Sequence, residues 1–120
     1  MAFEWREYFD LARFLARGGG SDYTHEAAHR SAVSRAYYAA FCHARNYARD
    51  RHHFFPTTTP KDHERVRTHF RKQGRADIAR HLETLRQWRN RCDYNDAVFN
   101  IAGLLHSAIT QAQKILDGLK

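Results

Sequence analysis

Ala32-Val33-Ser34-Arg35-Ala36-Tyr37-Tyr38-Ala39-Ala40-Phe41-Cys42 is apolar on nearly every side of a helix. A helix hydrophobic all round must be surrounded by others, so this run reads as the central post of a helical bundle. Its alanines and Ser34 let neighbouring backbones approach closely, and Tyr37, Tyr38 and Phe41 fill the spaces between. Arg35 is the single charge in the run. A guanidinium placed there needs a polar pocket to receive it.

Reading outward, the post extends from about Tyr23 to Arg51. Before it, Gly18-Gly19-Gly20 ends a first helix of residues 2 to about 17, and Ser21 and Asp22 offer caps for the second. In that first helix Phe3, Tyr8, Leu11, Ala12 and Leu15 share a side. After the post, residues 49–56 break the helix, and Thr59 as cap with Pro60 at the first position opens a third, Lys61 to about Lys72. Only Val66 and Phe70 are apolar there, which predicts an exposed, strongly basic helix ended by Gln73-Gly74.

A fourth helix spans about Ala76 to Tyr94, on the apolar spacing of Ile78, Leu82, Leu85, Trp88 and Cys92. Asn95 and Asp96 mark a turn. A last helix follows on the stripe Val98, Ile101, Leu105, Ala108, Ile109, Ala112, Ile115, Leu116 and Leu119. No strand alternation, repeat or low-complexity tract interrupts this pattern. The expectation is all-α: a single domain over residues 1–120, an up-and-down antiparallel bundle of four to five helices.

With 42% hydrophobic residues over 120 positions, the chain can bury a real core. No apolar run is long enough to cross a bilayer, and Met1-Ala2-Phe3-Glu4 does not begin a signal peptide. Cys42 and Cys92 fall in mid-helix, where a disulfide framework is not expected, and the natural compartment is a reducing cytoplasm. The formal charge is +7, and 16 of the 20 basic residues are arginine. Arginine grips phosphate bidentately and stacks on bases, so a polyanionic partner, RNA or a nucleotide, is expected ahead of an acidic protein.

The fourth helix carries the candidate site, Arg86-Gln87-Trp88-Arg89-Asn90-Arg91-Cys92-Asp93-Tyr94. Arg89 lies at the edge of the apolar stripe, four residues after Leu85, and Asp93 follows one turn later as its nearest partner. The plain alternative is a helix-surface ion pair. Three arginines, an Asn, an Asp and a Tyr within two turns point instead to a site or an interface. Arg35 is expected to reach the same pocket.

Ser34-Arg35-Ala36-Tyr37-Tyr38-Ala39-Ala40-Phe41 followed far downstream by Arg89-Asn90-Arg91-Cys92-Asp93-Tyr94 resembles the HEPN domain family. The similarity is to its small stand-alone prokaryotic members, with an "SRxYYA" helix and an "RNxxDY" helix, and it covers roughly residues 5 to 117. The resemblance implies a four- or five-helix bundle, commonly a homodimer. It also implies kinship with metal-independent endoribonucleases that are often the toxin partner of a small nucleotidyltransferase antitoxin. In those enzymes an Arg and a polar residue are followed a few positions later by a His. Arg89-Asn90 matches the first half, while Tyr94, Asn95 and Asp96 stand where the His should fall. None of these three titrates near neutrality, so binding is carried over ahead of cleavage.

His25-Glu26-Ala27-Ala28-His29 reads as the zincin pattern H-E-x-x-H. A third ligand is not evident, with Glu83 and His43 only guesses, and the segment opens the long helix rather than meeting the motif residues. His52-His53 read as a solvated helix end, His106 as a partly buried bundle residue, and Cys92 as a small core residue rather than a reactive thiolate. The sequence thus points to an RNA- or nucleotide-binding protein, a toxin–antitoxin component with weak or absent RNase activity. Arg89, Asn90, Asp93 and Tyr94 form the reacting centre, and Arg35, Arg86 and Arg91 make the nucleic-acid contacts. No metal or cofactor is expected. A non-catalytic dimeric scaffold is the second reading, and a zinc-dependent hydrolase the third.

Overall fold

The alanine-rich run lies in α2 (His25–His52), where Ala32, Val33, Ala36, Ala39, Ala40 and Ala44 are completely buried. The computed structural model describes residues 2–120. Around α2 stand α1 (Arg6–Leu15), α3 (Asp62–Lys72), α4 (Ala76–Tyr94) and α5 (Ile101–Gly118), and α2 touches every one of them. The described residues contain no strand. The bundle is all-α, as the uniform helical periodicity required.

Contacts between side chains fix the helix directions. Arg35 lies over Tyr8 and Arg45 over Trp5, so α1 runs against α2. Arg30 meets backbone carbonyls at the end of α4 and Tyr38 meets Arg89, so α4 also opposes α2. Arg75 bonds to Gly118 and His81 to Gln111, so α5 opposes α4. These four helices alternate up and down. The short α3 is added at the side and runs in the sense of α2, because Tyr37 meets His63 and His52 meets His69.

Several boundaries differ from the sequence reading. The cap of α2 is Thr24, whose Oγ1 accepts from the Ala27 N–H at 3.0 Å, rather than Ser21 or Asp22. The glycine loop is folded inward: His25 Nδ1 accepts from the Gly19 N–H at 2.8 Å. Gly18 sits at φ +112°, and a Cβ there would collide with the His25 ring, so only glycine fits this turn.

In α1 the buried positions are Phe9 and Ala12, flanked by Trp5, Tyr8, Leu15 and Ala16 on the three–four spacing. Leu11 falls off that seam and is 40% exposed, against expectation. Val98 lies in the connection between α4 and α5, not in the last helix. Asn100, at φ 51°, accepts from the Gly103 N–H and starts α5 at Ile101. His106 is exposed rather than partly buried. His53 is exposed as expected, but His52 Nδ1 lies 2.8 Å from His69 Nε2 and is half-buried.

The start of α3 is built by Asp62 rather than by Thr59 and Pro60. Its carboxylate, 4% exposed, accepts from the Thr57 and Thr58 N–H groups, the Thr57 hydroxyl and Arg65. An anion at the first turn of a helix is favoured by the dipole as well. The helix is also less exposed than its charge suggests. Val66 and Phe70 are fully buried, and Arg67 turns inward to Glu83, leaving its side chain 11% exposed. A basic residue on the inner face needs a carboxylate, and α4 supplies it.

Candidate functional site

Successive turns of α4 present Glu83, Arg86, Asn90 and Asp93 at three- and four-residue intervals, with Arg89 between them. Glu83 is the hub. It accepts from Arg86 Nη2 at 2.8 Å and Nε at 3.2 Å, accepts from Gln87 at 3.1 Å, and lies 3.0 Å from Arg67 Nε. The bidentate bond from Arg86 dominates and holds the Glu83 carboxyl down at about 2. Farther along the helix, Arg89 Nη1 donates to Asn90 Oδ1 at 2.9 Å while its Nε lies 3.0 Å from Asp93 Oδ2.

Those two Nε atoms, of Arg67 and Arg89, are buried, and neither N–H is aimed at the carboxylate beside it. Each pair is therefore one of proximity, and each guanidinium keeps an unused donor. Buried donors without an acceptor are uncommon in folded proteins, and a site built to take a ligand is one cause of them.

The surrounding aromatics complete the arrangement. The guanidinium of Arg89 lies 5.2 Å over the Tyr38 ring and 5.9 Å over Tyr94. Tyr38, Pro60, His63, Arg86, Arg89 and Tyr94 line a cleft of about 380 Å³, within the range of small-ligand sites. A larger recess of about 670 Å³ lies elsewhere, on α3, lined by Phe54, Lys61, Glu64, Arg65, Thr68, His69 and Lys72. Volume alone does not identify a site. The larger recess has one arginine and no tyrosine, whereas the smaller cleft joins two guanidiniums, two tyrosine rings and a histidine.

The sequence-predicted residues divide. Arg86, Arg89 and Tyr94 line the cleft, and Asn90 and Asp93 flank Arg89. Arg35 does not enter it. Its guanidinium lies 4.7 Å over Tyr8 and 5.5 Å over Tyr38, in an adjoining groove lined by Leu11, Leu15, Ser31, Ser34 and Asp93. Arg35 leans towards α1, which is why it misses the cleft on the α3 side, and the Tyr38 ring touches both arginines. Arg91 is exposed and lines neither recess.

Two residues absent from the sequence reading belong here. His63 lines the cleft from α3, and Arg67 stands behind it against Glu83. His63 Nδ1 is hydrogen-bonded to Tyr37 Oη, and its ring stacks on Phe41 at 4.2 Å and 13°. Burial, then the charges of Arg89, Arg67 and Arg86, push its imidazole below the ordinary histidine value. A spacing rule along α4 could not find it, because it comes from a different helix.

Arg30 is likewise absent from the sequence reading. It donates to the carbonyls of Cys92, Asn95 and Asp96 at 3.1, 2.5 and 3.0 Å, and pairs with Glu26 at 3.1 Å. The bonds tie down the end of α4 and fix the turn that follows Asp93 and Tyr94. This is what the His25–His29 segment does in the fold. Its Glu26 serves Arg30, its His25 serves Gly19, and His43 is bonded to the Leu119 carbonyl. Among the described residues no group of three or more His, Cys, Asp or Glu could hold a metal ion. Cys92 is buried, and burial pushes its thiol up to about 11, in keeping with a core residue. No helix of the described residues is long and apolar enough to cross a membrane. No protein-family model, curated protein or solved structure matches the chain.

Proposed function

We propose that the cleft binds the phosphate groups of RNA or of a nucleotide. The observation that carries this reading is the convergence of Arg86 and Arg89 on one recess walled by Tyr38 and Tyr94. Guanidiniums take phosphate oxygens, and tyrosine rings offer stacking faces for bases. Tyr94 is 74% exposed, so its ring is free to receive one. The resemblance to HEPN proteins supports the same reading and adds two expectations, a homodimer and a nucleotidyltransferase-type antitoxin as partner. Phe99, 96% exposed in the connection that follows Tyr94, is the apolar residue best placed for a contact with a second copy.

A scaffold reading is favoured by one observation: Arg86 and Arg89 already have carboxylates within the chain. Fluorescence anisotropy with a short labelled single-stranded RNA at low salt separates the two. Binding that weakens in both Arg86→Ala and Arg89→Ala supports the cleft. No binding at low salt favours the scaffold.

A further inference from the structure

We propose that His63 is the proton-transfer group of the cleft, so that a phosphodiester with a neighbouring hydroxyl held there is cleaved by internal transesterification. The inference rests on the phosphate-binding reading above and adds a reaction to it. Beyond Arg89 the rest of α4 offers no side chain that titrates near neutrality, and His63 supplies one from α3 across the cleft.

The geometry fixes the ring from three sides. Phe41 stacks on it at 4.2 Å, Tyr38 meets it edge-on at 6.3 Å and 75°, and Tyr37 Oη bonds Nδ1. Tyr37 is 1% exposed, and burial raises its hydroxyl far above neutrality, so it stays protonated. A phenol both donates and accepts, so it can receive Nδ1–H when Nε2 is bare and keep the bond when Nε2 is protonated. Nε2 makes no hydrogen bond among the described residues, and it is not one of the buried unpaired atoms. It is the nitrogen available to a substrate.

The charged and titratable groups around His63 are Tyr37 and Tyr38 from α2, Asp62 and Arg67 from α3, and Arg86, Arg89 and Tyr94 from α4. The arginines outweigh Asp62, which keeps the imidazole neutral at pH 7 and able to accept a proton. In the reaction Nε2 takes the proton of the 2′-hydroxyl. O2′ bonds to phosphorus, the P–O5′ bond breaks, and Nε2 returns the proton to O5′. The products are a 2′,3′-cyclic phosphate and a 5′-hydroxyl, and no co-reactant is consumed. Arg86 and Arg89 stabilise the charge on the phosphoryl oxygens.

The test compares wild type, His63→Gln and Tyr37→Phe on a labelled single-stranded RNA, with cleavage, product ends and affinity all measured. Cleavage to cyclic-phosphate ends should fall about 100-fold or more in His63→Gln while affinity changes less than about threefold. The wild-type rate should rise with pH through an inflection below the ordinary histidine value, and Tyr37→Phe should move that inflection. Should His63→Gln fail to fold, an unchanged pH profile in Tyr37→Phe overturns the proposal. So does wild-type protein that binds RNA without cutting it, cleavage indifferent to His63→Gln, or products with 5′-phosphate ends. Wild-type protein that does not bind RNA overturns the binding reading itself.

Discussion

Replacing Asp62 by Asn removes one charge from the turn that launches α3 and so places His63. Burial alone would raise this carboxyl. The Thr57 N–H and hydroxyl, Arg65 and the Thr58 N–H override it and hold it at about 2, against an ordinary 3.8. That lowering corresponds to about 2.4 kcal/mol of preference for the native fold at neutral pH. Arg65 is 38% exposed, and solvent screening trims the share to about 2 kcal/mol. For a chain of this size that is a fall in Tm of about 6–10 °C.

The pH dependence follows from the sign of the shift. A depressed carboxyl contributes fully above its unfolded value of 3.8 and loses that contribution as pH falls through about 2. Urea unfolding of wild type and Asp62→Asn should therefore show the full gap at pH 6 and about half of it at pH 3. A gap under about 0.5 kcal/mol at pH 6, or one undiminished at pH 3, would refute the assignment of Asp62 as the organiser of this turn.

Two further outcomes are expected. Arg30→Ala leaves three carbonyls at the end of α4 without their donor, and should cost about 2–3 kcal/mol and weaken RNA binding through the displaced Tyr94. Urea unfolding and anisotropy on the same preparation check both. Cys42 and Cys92 are buried with thiols raised by burial, so a disulfide reagent at pH 8 should label neither until denaturant is added.

The post and the bundle were legible because burial on every side of α2 leaves an unmistakable alanine-rich run. The stripe of α5 was legible for the same reason, from Leu105 to Leu116. What escaped depends on contacts between helices. Arg30 reaches 62 to 66 residues along the chain, and His63 meets Tyr37 across 26. Neither leaves a local pattern. The charge of Arg35 demands a pocket, but the one it occupies is the neighbouring groove, against Tyr8. The cap at Thr24 escaped because Ser21 and Asp22 are equally good capping residues, and the His25–Gly19 bond sets where the helix starts.

The central claim is that Arg86 and Arg89 hold phosphate. The salt dependence of RNA affinity measures it most directly, since each neutralised phosphate on a single strand contributes a slope of about −0.7 in log K against log salt. Arg89→Ala should weaken binding at low salt and make the slope shallower by about 0.7, with Arg89→Lys restoring the slope but only part of the affinity, because an ammonium cannot reproduce the guanidinium fork. A slope identical in wild type, Arg86→Ala and Arg89→Ala would contradict the account.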